Sequence, residues 1–170
     1  MENSRILYDD WTTRYDGAVA YRKKAHCLSL MCTGFLLVVS MIGVFIDLGM
    51  IVMLVISLIT LTFVTLEWLK IKNNHLIIRE NQIEITNKYN KTTVYQINMN
   101  DIFLEINHSF NRRSGGIIMK FYDSKANFIC KYEDMLNGAS PFGVKQTRWE
   151  KSVAALDIRI DDPEGIIKNR

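Results

Sequence analysis

Residues 27–46 read CLSLMCTGFLLVVSMIGVFI and residues 50–66 read MIVMLVISLITLTFVTL, two uncharged runs separated by Asp47-Leu48-Gly49. At a rise of about 1.5 Å per residue, about 20 helical residues match a hydrocarbon core about 30 Å thick, and about 17 residues are close to the minimum. A buried helix of a soluble protein is the alternative, but two tandem runs without a polar face would both meet water. The sequence therefore predicts a two-helix transmembrane hairpin with an extracytoplasmic turn at residues 47–49.

A cleaved signal peptide is another alternative for the first run. This run, however, begins after 26 residues, exceeds a typical signal-peptide core and leads directly into a second apolar run. We therefore expect both helices to be retained as an anchor. Neither run contains an ionisable Asp, Glu, Lys, Arg or His, so neither offers a residue for a proton relay or an ion pathway.

The orientation of the hairpin is predicted from its flanking charges. Five basic residues flank the runs on the side away from the turn: Arg22, Lys23, Lys24, Lys70 and Lys72. Lys and Arg collect on the cytoplasmic side of membrane proteins, whereas the turn offers only Asp47. Tyr21 and Trp68 fall at the same predicted interface, where amphipathic rings are favoured. We expect a multi-pass protein of the bacterial cytoplasmic membrane with both termini in the cytoplasm.

The rest of the chain has the size and charge of one small soluble domain. The chain has 170 residues, and from Glu67 onward it carries 16 Lys and Arg against 13 Asp and Glu. That balance does not favour a nucleic-acid-binding protein. Cys27, Cys32 and Cys130 form neither a disulfide framework nor a zinc spacing, which suits a reducing compartment.

After Asn74 the hydrophobic pattern changes to period two, which is typical of half-buried strands. Six segments show it: HLIIR from His75, QIEIT from Gln82, TTVYQINM from Thr92, DIFLEINH from Asp101, GIIMKFYD from Gly116 and NFICKY from Asn127. Turn-forming residues rich in Asn, Gly and Asp separate most of them. We expect an antiparallel sheet of about six strands.

A single amphipathic helix is predicted to close the domain. Thr147 and Glu150 have the spacing of a capping box. Four apolar residues occur at spacings of four, three and four: Trp149, Val153, Leu156 and Ile160. This spacing predicts one helical stripe reaching Ile160, with Trp149 in the core rather than in a binding surface.

The order of these elements resembles the bacterial pleckstrin-homology-like (PH-like) membrane proteins of the YdbS/YdbT and YcxB type. The resemblance lies in HLIIRENQIEIT, followed by INMNDIFLEI with an I-x-x-x-D-I entry from Ile97 to Ile102. It implies an α+β membrane protein: a hairpin, then a small antiparallel β-sheet or PH-like domain at residues 75–160 with a C-terminal helix. Residues 1–26 would be a cytoplasmic N-terminal segment and 161–170 a tail. The chain departs from this pattern in a longer loop at residues 137–146 and in its acidic tail.

The sequence offers no recognisable catalytic residues, metal site or cofactor motif. His26, His75 and His108 are scattered without metal-ligand spacing. Cys130 alternates with Phe128 and Tyr132, which favours a buried small residue over a nucleophile. Nucleophile-elbow, phosphate-loop, dinucleotide-binding and HExxH motifs do not occur.

Two loops are the candidates for binding a partner or an anion. Arg112 and Arg113, within residues 111–116, could hold a phosphate or a carboxylate, although a solvated β-turn is the simpler interpretation. Phe142, after Pro141, is the best candidate for an exposed aromatic residue. In the N-terminal segment, Leu7, Trp11 and Tyr15 recur at four-residue spacing, as on a helix that lies on the membrane or packs on the domain.

The leading hypothesis is a non-enzymatic, membrane-anchored module that binds a protein partner at the cytoplasmic face. An alternative is an immunity protein that neutralises a membrane-acting or translocated bacterial toxin. A second alternative is a membrane-associated enzyme without a recognisable local motif. The expected partners are the lipid bilayer, another protein or a second copy of the chain in a homo-oligomer.

Overall fold

The computed structural model describes residues 5–14, 16–47, 49–108, 116–134 and 147–163. Within these ranges the helices are α1 (Asp10–Thr13), α2 (Asp16–Val44), α3 (Met50–Asn73) and α4 (Thr147–Ala154). The strands are β1 (Ile6–Asp9), β2 (His75–Arg79), β3 (Gln82–Thr86), β4 (Thr92–Gln96), β5 (Ile102–His108), β6 (Ile117–Asp123), β7 (Phe128–Asp134) and β8 (Arg159–Asp161). A single 3₁₀ turn lies at Met99–Asp101.

Helices α2 and α3 pack side by side as a hairpin, and both are long and apolar enough to cross a membrane. In their most apolar windows only 11% and 6% of the residues are buried. Helix α2 begins 11 residues before the first predicted run but ends at Val44, two residues before Ile46, where the chain turns. Helix α3 begins at Met50 as predicted and extends to Asn73, and in this extension Glu67 pairs with Lys70 one turn later, at 2.9 Å. The predicted pair of long apolar helices is confirmed, and each continues into the polar sequence beside it.

The hydroxyl groups inside the hairpin are satisfied within their own helices. Thr33, Ser40 and Ser57 are the buried polar residues of α2 and α3. Each donates a hydrogen bond of 2.7 or 2.8 Å to the carbonyl oxygen four residues earlier. These side chains therefore need no polar partner from outside the helix.

The strands form two four-stranded sheets in the orders β1-β2-β3-β4 and β7-β6-β5-β8. All neighbours are antiparallel except β5 and β8, which are parallel. The six strands predicted from period-two patterns correspond to β2 through β7 and are confirmed. The prediction of a single antiparallel sheet is wrong, because β2 to β4 and β5 to β7 lie in different sheets. Strands β1 and β8 are additional, one at an edge of each sheet, and β8 pairs in parallel with β5.

The core lies between the sheets and under α4. Alternate strand positions supply fully buried side chains, among them Leu76, Ile78, Ile83, Leu104, Ile106, Ile117, Met119 and Phe121. Trp149 and Val153 of α4 are also fully buried, as the sequence predicts. Cys130 is buried too, and desolvation raises the pKa of its thiol to about 12. A thiol this hard to ionise behaves as a small apolar residue.

The predicted closing helix is too long. Helix α4 ends at Ala154, and Ile160 belongs to β8, where it lies opposite Leu104. From Leu156 onward, buried and exposed residues alternate, with Ile158 and Ile160 buried and Asp157 and Arg159 exposed. The spacing from Leu156 to Ile160 fits both a helix and a strand, and the buried Ile158 between them identifies the strand. The side chain of Thr147, the predicted cap, lies outside the described residues.

The N-terminal segment packs on the domain. Its first element is β1, which pairs with β2 through Ile6 opposite Arg79 and Tyr8 opposite Ile78. The helical interpretation of Leu7 and Trp11 is wrong at Leu7, which lies in this strand, while Trp11 lies in the one-turn helix α1. Backbone pairing with β2 determines the local conformation of β1 more strongly than the four-residue spacing does.

Candidate functional site at the hairpin junction

The two ends of the hairpin connect to two neighbouring strands of the β domain, β1 before it and β2 after it. Helix α1 and a short connection join β1 to α2, and only Asn74 separates α3 from β2. Because β1 and β2 are paired, with Asp9 opposite Ile77, the two ends of the hairpin are held side by side. The residues around these connections form the junction.

Asp9 is the first element of the junction network. Its backbone is extended at φ −140° and ψ 114°, and its side chain caps α1 by accepting a 2.9 Å hydrogen bond from the Trp11 amide. The same oxygen, Oδ1, lies 2.9 Å from Nε2 of His75 at the start of β2. One carboxylate thus joins the N-terminus of α1 to the strand that comes after the hairpin.

Asp10 is the buried centre of the network, with 0% exposure. Its Oδ1 accepts a 3.0 Å hydrogen bond from the Leu76 amide. Its Oδ2 lies 3.0 Å from Nη2 of Arg14 and also accepts a hydrogen bond from the Tyr132 hydroxyl of sheet β7-β6-β5-β8. Burial, followed by the negative charge of Asp134, raises the Asp10 pKa to about 6, although Arg14 and the hydrogen bonds act in the opposite direction.

The residue that follows α3 is tied to the N-terminal segment through its carbonyl oxygen. The Asn74 carbonyl accepts hydrogen bonds from Trp11 Nε1 at 2.9 Å and from Arg14 Nη2 at 2.8 Å. The Trp11 ring stacks on His75 with 4.3 Å between ring centroids. The guanidinium of Arg14 lies 5.5 Å from the centre of the Trp11 ring. These contacts fix the direction in which α3 leaves the sheet.

Asp9, Asp10 and His75 bring three possible metal-ligating atoms within 4.8 Å of one another. Sequence spacing did not reveal this cluster, because His75 lies 66 residues after Asp9. The oxygens of Asp10 are already used by the Leu76 amide, Arg14 and Tyr132, and Asp9 caps a helix. Because Arg14 supplies the compensating positive charge, the geometry is that of a structural hydrogen-bond network.

A cavity of about 450 Å³ opens beside this network, between α1, the start of α2 and the end of α3. Its lining combines two indole rings, two aliphatic side chains, three cations and one carboxylate. These residues are Trp11, Trp68, Val19, Ile71, Arg14, Lys23, Lys72 and Asp16. Its volume and its mixture of apolar walls with a few charged groups are typical of a small-ligand site.

The structure brings part of the predicted interface set to this cavity. Lys23, Trp68 and Lys72 line it, whereas Lys70 is paired with Glu67. Tyr21, Arg22 and Lys24 lie one or two residues from Lys23 on α2, where Tyr21 is 49% exposed. Arg14 was missed, and Trp11 was expected only to lie on the membrane or to pack on the domain, because the β1–β2 pairing alone places the N-terminal segment against the end of α3.

The predicted binding loops cannot be placed at any site. Arg112, Arg113 and Phe142 lie outside the described residues. They remain candidates for partner or anion binding on sequence grounds alone.

A second feature is an aromatic strip on the outer face of sheet β7-β6-β5-β8. Phe103 stacks on Tyr122 at 4.9 Å, and Phe128 meets Tyr122 edge-on at 5.8 Å. Beside them, Lys120 Nζ lies 2.8 Å from Glu105 Oε1, and this hydrogen bond is the main reason that the Glu105 pKa is lowered. Phe128 at the end of the strip is 58% exposed.

Comparisons of the chain with protein-family models, with curated proteins and with solved structures found no match. The resemblance to the PH-like membrane proteins of the YdbS/YdbT and YcxB type therefore stays a prediction. The functional interpretation of the chain rests on its fold, its junction and its surface.

Proposed function

We propose that this chain is a non-enzymatic, membrane-anchored module that binds another protein at the cytoplasmic face of a bacterial membrane. In this proposal α2 and α3 span the bilayer, and the β domain lies directly beneath it. The observation that carries the proposal is the junction, where only Asn74 separates α3 from β2 and where Asp10 and Arg14 clamp the connection. A domain attached in this way keeps one orientation relative to the hairpin.

The surface of the hairpin supports insertion into lipid. Large apolar side chains point away from the other helix, with Met31 and Phe35 each 69% exposed and Phe63 66% exposed. Apolar surface of this extent is unfavourable in water and favourable in a hydrocarbon core. The basic residues at the domain end of both helices support a cytoplasmic location for the β domain.

The architecture of the β domain supports a binding role. A strand pair comes after the hairpin, and further antiparallel strands and then α4 come after that pair, which is the order that the proposed PH-like relationship implies. Strands β1 and β8 depart from it, because β1 precedes the hairpin and β8 follows α4. The buried carboxylate of Asp10 is engaged in hydrogen bonds that hold the N-terminal segment against both sheets. Membrane attachment confines the domain to two dimensions and raises its effective concentration near a membrane-bound partner.

The aromatic strip is our proposed contact surface for that partner. Exposed aromatic residues contribute strongly to protein interfaces, because they bury a large area with little loss of side-chain freedom. Phe128 supplies such area beside the half-buried ring of Tyr122, and the Glu105–Lys120 pair provides polar groups at its rim.

Site-specific photo-crosslinking in cells tests this proposal. A photoreactive phenylalanine analogue at Phe128 is expected to give a discrete adduct with another protein. The matched control is the same analogue at Tyr89, which is also 58% exposed but lies in the β3–β4 turn. The variant Phe128→Ala should stay in the membrane fraction and lose the partner.

The outcomes separate the alternatives. A toxin in the adduct, together with deletion that harms cells only beside that toxin, would favour the immunity function. An adduct with a second copy of this chain would show that the contact surface joins copies of the chain in a homo-oligomer rather than binding a different protein. Equal labelling at both positions, or none at either, would contradict the proposed contact surface.

A further inference from the structure

The cavity at the junction carries an excess of positive charge. Lys23 extends from α2 and Lys72 from α3, and neither ammonium group has a carboxylate partner among the residues that the structure describes. Arg14 is compensated by Asp10, and Asp16 contributes one negative charge to the lining. The two lysines therefore make the cavity attractive to an anion.

The guanidinium of Arg14 is fixed before any ligand arrives. Its Nη2 lies 3.0 Å from Asp10 and donates a 2.8 Å hydrogen bond to the Asn74 carbonyl, and its Nε is buried. The positive charges of the lining that stay available to a ligand are therefore the exposed ammonium groups of Lys23 and Lys72.

The position of the cavity along the hairpin matches the headgroup layer, if the hairpin spans the bilayer as proposed. Lys23 lies four residues before the first apolar run, or about 6 Å along a helix. Trp68 and Lys72 lie two and six residues after the second run, or about 3 and 9 Å. Headgroups occupy about 5–8 Å on each side of the hydrocarbon core. The two indole rings are also of the type that favours this depth.

We propose that this cavity binds a phosphate group through Lys23 and Lys72, with Trp11 and Trp68 bordering it. The phosphate is carried either by an anionic phospholipid of the cytoplasmic leaflet or by a small soluble phosphate ester. This inference rests on the proposed membrane insertion and adds a ligand class to the junction.

Native mass spectrometry of the full-length protein tests the inference. The protein is released from micelles containing equal amounts of phosphatidylglycerol and phosphatidylcholine, and the retained lipids are counted. We expect about a tenfold preference for phosphatidylglycerol, and we expect the double variant Lys23→Gln/Lys72→Gln to abolish it. The control Lys125→Gln/Lys131→Gln removes the same charge outside the cavity and should change the preference by less than about twofold.

Glycerol 3-phosphate distinguishes the two sources of phosphate. If it displaces the retained phosphatidylglycerol at millimolar concentration, the site accepts a soluble ester. If the lipid stays bound, the site is specific for a headgroup anchored in the bilayer. An equal preference in the wild type and in the Lys23→Gln/Lys72→Gln variant overturns the inference.

Carbonate extraction of the same proteins separates this inference from the proposed insertion. A protein that carbonate releases from membranes is not inserted, so the proposed function fails together with the site. If the protein stays in the membrane but shows no preference for phosphatidylglycerol, the proposed insertion stands and only the proposed phosphate site is refuted.

Discussion

The hairpin and the β domain use the same apolar residue types in opposite ways. In the β domain Phe121 has 0% exposure, whereas in the hairpin Phe35 is 69% exposed. The difference shows in the pattern of the chain, which is continuously apolar in the hairpin and alternates in the strands. Apolar content alone therefore does not define a protein core. The spacing of the apolar residues along the chain determines whether they form a core or an apolar outer surface.

A matched pair of truncations should give the largest difference between the two regions. Phe121→Ala removes a fully buried ring and should lower the free energy of unfolding by about 3–5 kcal/mol. Phe35→Ala should lower it by less than about 0.5 kcal/mol, because this ring contacts little of the protein. Thermal unfolding in detergent measures both variants. Similar losses from the two changes would place Phe35 in a packed interface.

The reverse substitution tests which solvent covers the hairpin. Leu58 is 49% exposed near the middle of the second apolar run, and Leu58→Arg should oppose membrane insertion by about 3 kcal/mol. The control is Val94→Arg on β4, where 48% exposure to water makes a charge nearly neutral. A glycosylation-based insertion assay measures the hairpin variant, and urea unfolding measures the control. If Leu58→Arg inserts as well as the wild type does, the lipid-facing assignment fails.

The pH dependence of stability should be specific to the β domain. The Asp10 pKa rises from 3.8 to about 6 on folding, so the folded state binds a proton more tightly than the unfolded state. The contribution of this group is therefore present at low pH and is lost as the pH rises through about 6. Between pH 7 and pH 5 the domain should gain about 1 kcal/mol, measured by thermal unfolding. Asp10→Asn should flatten this part of the profile, and an unchanged slope would refute the assignment.

Thiol labelling of Cys32 and Cys130 compares the two regions directly, and it gives the smallest expected difference between them. Cys32 is exposed on the hairpin, whereas Cys130 is buried in the domain with a pKa of about 12. In native membranes we expect a charged maleimide to label neither residue, because lipid covers Cys32 if the hairpin is inserted as proposed, and protein covers Cys130. Detergent should leave Cys130 unlabelled until the domain unfolds. Rapid labelling of Cys32 in intact membranes would show that water reaches the hairpin.

The elements that the sequence predicted well are those whose hydrophobic pattern fits only one kind of structure. The six strands β2 through β7 have a clear period of two, and the two apolar runs are recognised by their length and their lack of charge. Helix α4 was overextended because the interval from Leu156 to Ile160 satisfies two periods at once. Local patterns therefore identified most elements and failed where tertiary contacts chose between two conformations.

The junction could not be predicted in the same way, because its contacts join distant parts of the chain. The amide of Leu76 and the carboxylate of Asp10 are 66 residues apart, and the hydroxyl of Tyr132 reaches the same carboxylate across 122 residues. Flanking charge did locate Lys23 and Lys72, and the preference of aromatic rings for the membrane interface located Trp68, at one end of the hairpin. Their meeting with Trp11 and Arg14 depends on the register of β1 against β2.

The pairing of β1 with β2 also has to wait for the synthesis of the whole hairpin, because β1 precedes α2 and β2 follows α3. The ribosome makes β1 first, then both helices of the hairpin, and only afterwards the strand to which β1 must bind. Sheet β1-β2-β3-β4 therefore closes after α2 and α3 have left the ribosome, and the closing contact spans the whole hairpin. A nascent chain whose hairpin is misplaced holds β1 and β2 apart and leaves the edge of β2 unpaired. Completion of the domain thus reports that the hairpin has been assembled.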